Sequence, residues 1–326
     1  MIITKTPHRI SFFGGGSDYP EWYKYYGGKI LSTTIDKYIY ISIRKLPPYF
    51  GFKYRIVWSR VENNKNLSSI KHKVVKSMLP YMKIKDGMEI HYQADLPART
   101  GLGSSSSFVV GLLNGLSEYK NIKIKKENLA KKSIYFENKV LNEYVGVQDQ
   151  ISASIGGLNK VLINKKGNFK IKKISLNEEK KKFFIKNLAL VFTGINRTAS
   201  EIAGKYVNNL RKKFSNLKEI VSHVDEGEKL LINGHFNDFG RLLNESWQFK
   251  KSLSPIISNT KVDNLYEYFK DNGALGGKLL GAGGGGFMLF YIPNHLKKKI
   301  LMKNKKIKIV PFNLTDRGSE IIFKNK

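Results

Sequence analysis

The chain of 326 residues is 41% hydrophobic and contains no cysteine, with 57 Lys and Arg against 26 Asp and Glu for a formal net charge of +31. That length and apolar content are enough for a substantial core and suggest two domains, while the cysteine inventory excludes disulfides, thiolate zinc sites and cysteine nucleophiles. No apolar run approaches the roughly 18 residues of a membrane span and Met1 to Arg9 lack a secretion signal, so a cytoplasmic protein with no membrane partner is expected. The lysines fall in short groups such as Lys180 to Lys182, which reads as solvated faces and not as a nucleic-acid stripe, although the charge favours encounter with anionic small molecules.

Ile2 to Ile10 alternates weakly and runs into Gly14-Gly15-Gly16, which predicts a strand entering a tight loop. Ile30 to Arg44, rich in Ile, Thr and Tyr, predicts paired strands broken near Asp36-Lys37, and further strands are expected at Tyr54 to Ser59 and Met88 to Ala94. Next comes Asp95-Leu-Pro-Ala-Arg-Thr-Gly-Leu-Gly-Ser-Ser-Ser-Ser107, a glycine turn joined to hydroxyls at the start of an apolar helix. Gly101 and Gly103 let the backbone approach an anion, and Ser104 to Ser107 are expected to cap the helix, leaving free amides and the positive dipole end facing a phosphate. An ordinary Ser-capped loop is the alternative. The loop is neither a Walker A motif nor a Gly-x-Gly-x-x-Gly fingerprint.

A helix is expected at Lys126 to Glu143, then a short helix, turn and strand across Ile151 to Ile163. Leu188 to Thr193 reads as a buried strand, followed by helices at Ala199 to Leu210, Leu217 to Asn233 and Phe236 to Leu253, the last ended by Pro255. Val262 to Asn272 predicts a helix leading into the glycine-rich run Gly276 to Gly286, a strand Phe287 to Ile292, a lysine-rich helix and two short strands. Strands and helices mixed without regular alternation favour an α+β chain, divided into residues 1–185 and 186–326.

Pro97 to Ser105 resembles the second signature, Pro-x-x-x-Gly-Leu-Gly-Ser-Ser, of the GHMP small-molecule kinases. Pro7-His-Arg-Ile-Ser-Phe-Phe-Gly-Gly-Gly-Ser-Asp-Tyr19 resembles the first signature, and Gly276 to Gly286 the third. The resemblance implies a ribosomal protein S5 domain 2-like N-terminal domain, a ferredoxin-like C-terminal domain, and an ATP-dependent phosphotransferase that uses Mg²⁺. It assigns Gly101, Leu102, Gly103, Ser104, Ser105 and Ser106 to the nucleotide phosphates. Ser105 and Glu137, with Glu143 as rival, fall at the metal, and Asp149 becomes the base or orienting group, with Arg9 supplying positive charge beside it. Gly16, Ser17 and Asp18 fall on the sugar side, where Tyr19, Trp22 and Tyr23 are either pocket wall or core. The third glycine motif is left either as packing or as a phosphate contact, and Lys278 within it as a phosphate partner or a solvated lysine.

Galactokinases carry Glu-His where this chain has Gly15-Gly16, which argues against galactose. Val145-Gly-Val-Gln-Asp-Gln150, Thr193-Gly-Ile-Asn-Arg-Thr-Ala-Ser-Glu201 and Leu280-Gly-Ala-Gly-Gly-Gly-Gly-Phe287 are similar to a narrower group, the bacterial D-glycero-D-manno-heptose 7-phosphate kinases. That likeness implies a sugar phosphate as the small-molecule partner and Arg197 as the cation for its phosphate, unless Arg197 caps a helix or pairs with Glu201. Another sugar, or a non-catalytic polyanion-binding protein, are the competing expectations. Oligomeric state is not legible in the residues.

Overall fold

The computed structural model describes residues 1–196, 202, 204, 207–304 and 306–325. Its first part contains β1 (Ile2–Phe13), α1 (Pro20–Tyr26), β2 (Gly28–Lys45), β3 (Tyr54–Val57), β4 (Val61–Asn64), α2 (Lys73–Tyr81) and β5 (Met88–Ala94). There follow α3 (Ser104–Tyr119), α4 (Lys126–Tyr135), α5 (Gln148–Ile155), β6 (Asn159–Ile163), β7 (Phe169–Lys173) and α6 (Glu178–Asn187). The remainder holds β8 (Leu188–Phe192), α7 (Phe214–Asn233), α8 (Phe236–Leu253), α9 (Thr260–Asp271), β9 (Gly276–Leu279), β10 (Phe287–Tyr291), α10 (Asn294–Lys303), β11 (Ile309–Val310), β12 (Leu314–Thr315) and β13 (Glu320–Lys324).

The first sheet runs β13-β1-β2-β5-β3-β4, with β12 and β6 also pairing β2, and β7 pairing β6. The strands expected on either side of Asp36-Lys37 are one continuous 18-residue strand. Opposite them the register jumps from Pro7↔Tyr38 to His8↔Ile35, so the two charged residues occupy a bulge. A bulge bends a strand without ending it, which lets the two ends of β2 pair with β6 and β5 separately.

The second sheet, β11-β8-β10-β9, is antiparallel throughout. With helices between β8 and β9 and α10 between β10 and β11, it has the β-α-β-β-α-β arrangement of a ferredoxin-like unit, as expected. The chain does not stay there. β12 pairs with β2 and β13 with β1, so residues 314–324 return to the first sheet and cover its edge. The division at 185/186 is proposed as a boundary between the two sheets, with this tail belonging to the first.

The helix expected to reach Glu143 is shorter. After Tyr135 the backbone widens into a π-turn at Phe136–Val140, where Leu141 N donates to Phe136 O at 2.9 Å, and residues 141–147 leave as a loop. Single π-turns re-aim side chains, and here the turn carries Glu137 inward. Between the sheets, Phe12 and Phe13 of β1 pack edge-on against Phe239 of α8 at 5.3 and 5.1 Å, within one cluster that includes Leu190, Val224 and Phe287. Each fully buried Phe contributes roughly 1.5–3 kcal/mol. The shared core holds the end of β1 against the second unit.

Candidate active site

The turn before α3 is held from three directions. Arg9 N donates to Leu102 O at 3.1 Å and Arg9 Nη1 to Gly101 O at 2.7 Å. The same guanidinium grips Asp149 through Nε–Oδ1 at 2.7 Å and Nη2–Oδ2 at 2.9 Å, a bidentate fork. From the other unit, Phe287 N donates to Thr100 O at 3.0 Å. A Cβ on Gly101 would stand 2.5 Å from Leu280 O, and one on Gly286 2.3 Å from Thr100 O. Close backbone approach is thus the observed work of these glycines, and the third motif packs directly on the Thr100–Gly101 turn.

The expected serine cap is absent. Gly103, at φ 75°, is the N-cap of α3, and no side chain caps the helix. Ser106 and Ser107 are spent on tertiary contacts: Ser107 Oγ donates to Pro7 O at 2.9 Å, and Ser106 Oγ to Glu137 Oε1 at 3.1 Å. Ser104 Oγ has no partner, and Ser105 is exposed on the cavity wall. A helix start without a side-chain acceptor leaves its first amides and dipole for an anion. Leu102 enters the loop only through its backbone, its side chain being core.

Glu137 is fully buried, accepting from Ser106 and from Gln150 Nε2, and burial pushes its carboxyl up to about 8. The structure therefore sets Ser106, not Ser105, against Glu137. Glu143, the rival carboxylate, lines the cavity and pairs with Lys73 at 3.3 Å.

At the first glycine turn, Asp18 is 2% exposed and accepts from Gly16 N at 3.1 Å and Gln148 N at 3.3 Å. Burial, with Asp149 adding, raises it to about 6. Gly146 has no room for a side chain, because its Cβ would lie 1.8 Å from Asp18 Oδ2. Ser17 is turned away: its hydroxyl reaches Gly14 O at 2.8 Å and Lys29 O at 3.0 Å and accepts from Lys29 N at 3.1 Å, fastening the turn to β2. It does not line the cavity. Trp22 is core and stacks on Phe214, and Tyr23 is buried near Ile30, so of the three aromatics only Tyr19 reaches the cavity. Arg197 lies outside the described residues.

Arg9, Asp149, Asp18, Gly16 and Ser104 to Ser106 all open onto one cavity of about 400 Å³. Sequence reading missed its far end, an aromatic wall in which Trp58 meets His72 at 4.9 Å, His72 meets Phe108 at 4.8 Å, and Tyr92 meets Phe108 at 5.4 Å. Burial holds His72 below the usual imidazole range. Lys250 was also missed, and Lys278 is not solvated but 4% exposed.

The chain matches the family description GHMP kinases N terminal domain over residues 69–157 and GHMP kinases C terminal over residues 228–301. It is 28% identical to D-glycero-alpha-D-manno-heptose 7-phosphate kinase of Campylobacter jejuni, covering 97% of each chain. It is 27% identical to mevalonate kinase of Methanocaldococcus jannaschii, covering 96% of this chain and 98% of that one. Among solved structures, a D-glycero-D-manno-heptose 1-phosphate kinase from Bacteroides thetaiotaomicron superposes with TM-score 0.83 at 21% identity over 100% of both chains. Lactococcus lactis galactokinase complexed with galactose gives 0.73 at 16% identity over 98% of this chain and 94% of that one. At those identities the superpositions speak for the fold. Among the described residues no helix is long and apolar enough to cross a membrane.

Proposed function

The chain belongs to the GHMP kinase family, ATP-dependent phosphotransferases, and from that premise we propose that it phosphorylates O1 of D-glycero-D-manno-heptose 7-phosphate. The product would be the 1,7-bisphosphate, a precursor of nucleotide-activated heptose for surface polysaccharide. One observation carries the reading: an uncapped helix start, a bidentate Arg9–Asp149 pair and the Asp18 turn share a single cavity. The 28% identity to the Campylobacter heptose 7-phosphate kinase along nearly the whole chain supports the choice of sugar.

In this scheme the aromatic wall receives the adenine and the first amides of α3 hold the phosphates. Asp18 and the Gly15-Gly16 backbone orient the sugar. The acceptor O1 forms its bond to Pγ as the bond from Pγ to the bridging oxygen breaks and ADP leaves, and the O1 proton passes to the Asp149 carboxylate. Arg9 keeps that carboxylate aligned and contributes positive charge toward the transferring group.

Magnesium has suitable donors. Glu137 has no ion-pair partner among the described residues, and the Ser106 hydroxyl stands beside it at 3.1 Å, hard oxygens of the kind that bind Mg²⁺ together with substrate phosphates. Glu137 with Ser105 or Ser106 would hold the ion, which when bound neutralises charge between the β and γ groups.

A panel of heptose 7-phosphate, heptose 1-phosphate, fucose and galactose with ATP, read by phosphorus NMR, tests the assignment. Heptose 7-phosphate should give the highest kcat/KM and a new anomeric phosphate. Preference for any other sugar in the panel refutes it.

A further inference from the structure

Two cavity lysines stand outside the scheme above: Lys250, and Lys278, which the sequence left as a phosphate partner or a solvated lysine. Lys278 on β9 donates through Nζ to Phe12 O at 2.5 Å, and Lys250 on α8 donates to Leu279 O at 2.9 Å and Gly281 O at 2.6 Å. Neither has an ion-pair partner among the described residues, and the cation that acts on both, Arg9, is already taken by Asp149. An ammonium carries three donors, so at least one on Lys250 and two on Lys278 are unspent. On the same cavity wall the hydroxyls of Ser246, fully buried, and Ser11, 5% exposed, also lack hydrogen-bond partners.

Burial lowers Lys278 to about 7 and Lys250 well below the usual ammonium range, and neighbouring positive charge adds to both. Burying an ammonium without an anion is costly, so without a ligand the neutral amine is favoured at both positions. A ligand anion would remove that cost.

Resting on the kinase reading above, we propose that Lys250, Lys278, Ser246 and Ser11 form a subsite for a phosphate monoester carried by the acceptor substrate. A phosphate monoester brings nearly two negative charges and three strong acceptor oxygens, which suits two ammonium groups and two hydroxyls. The acceptor, not the nucleotide, is the source. Lys278 is fastened to the end of β1, immediately before the Gly14–Asp18 turn that walls the sugar side, whereas the nucleotide phosphates have the start of α3. A phosphate fixed here selects a phosphorylated sugar over its free counterpart.

The test is calorimetry on the full chain with saturating Mg²⁺ and a nonhydrolysable ATP analogue, so that the phosphate loop is filled. Heptose 7-phosphate, free heptose and inorganic phosphate are titrated into wild type, Lys250→Met, Lys278→Met and the milder Ser246→Ala. Each lysine variant should bind heptose 7-phosphate at least tenfold more weakly and free heptose within about twofold of wild type, with an unchanged or raised Tm; Ser246→Ala should show a smaller loss of the same kind.

Unchanged heptose 7-phosphate affinity in both lysine variants, equal losses for both sugars, or weakened analogue binding overturns the proposal. A lowered Tm with lost binding of every ligand shows the lysines to be carbonyl tethers, and overturns it too. Inorganic phosphate separates the two readings: lysine-dependent phosphate binding by a protein that ignores heptose 7-phosphate removes the heptose assignment and leaves the subsite standing.

Discussion

Replacing Asp149 by Asn tests the centre of the scheme with the smallest change of shape. The Arg9 side chain is 4% exposed and spends two donors on the two carboxylate oxygens. Asn offers one acceptor and turns an N–H₂ toward the guanidinium, so one charge-assisted bond is lost on the Arg9 side, which is nearly buried. Such bonds contribute about 1.5–3 kcal/mol, which for a chain of this size lowers Tm by about 2–4 °C. The kinetic effect is larger: a positioned proton acceptor contributes roughly 10²–10⁴-fold, or about 2.7–5.4 kcal/mol of barrier. Nucleotide affinity should stay within about threefold of wild type, because the α3 amides proposed to hold the phosphates are backbone. The assay pairs steady-state kcat with fluorescent-nucleotide binding on the same preparation. A variant that keeps its fold and its nucleotide, and turns over within tenfold of wild type, refutes the assignment of Asp149 as base or orienter.

Asp18, raised to about 6 from an unfolded value of 3.8, binds its proton more readily in the folded state, so stability of the ligand-free protein falls as pH rises through about 4 to 6. Asp18→Asn should flatten that part of a Tm–pH curve, while in wild type kcat/KM for the acceptor drops below about pH 6 as the accepting carboxylate is lost. Gly146→Ala, whose Cβ would meet Asp18 Oδ2 at 1.8 Å, should raise the acceptor KM at least tenfold and leave nucleotide affinity nearly unchanged; a normal acceptor KM would remove Asp18 from the site. Glu137→Gln should raise the Mg²⁺ concentration for half-maximal rate about tenfold or more, measured by metal titration after chelation. Trp58→Ala, if the aromatic wall stacks on adenine, should weaken ATP binding by about 1–3 kcal/mol, read as a shift in Kd with the acceptor KM unchanged.

Local chemistry made much of this legible before any coordinates. Gly101 and Gly103 announced a close backbone approach, and both adopt positive φ. The weak alternation of Ile2 to Ile10 announced β1, the Ile, Thr and Tyr of residues 30–44 announced strand though not its continuity through Asp36-Lys37, and Pro255 ended α8 where expected. Hydroxyl roles were less legible, because Ser17 and the four serines at residues 104–107 are the same residue type facing different neighbours. Which of them meets backbone, carboxylate or cavity depends on strands and turns distant in the chain. Trp58, His72 and Tyr92 sit on separate elements and read individually as ordinary core.

The sequence by itself determined the α+β character, the glycine turn before α3 and, through motif resemblance, the family, because these rest on backbone propensities and contiguous glycine and serine patterns. Only the tertiary structure decided that residues 314–324 complete the first sheet, that Ser106 meets Glu137, and that Lys250 and Lys278 face one cavity without a counter-charge. Those facts depend on packing between segments up to hundreds of residues apart, where burial and charge are set by neighbours that local pattern does not name.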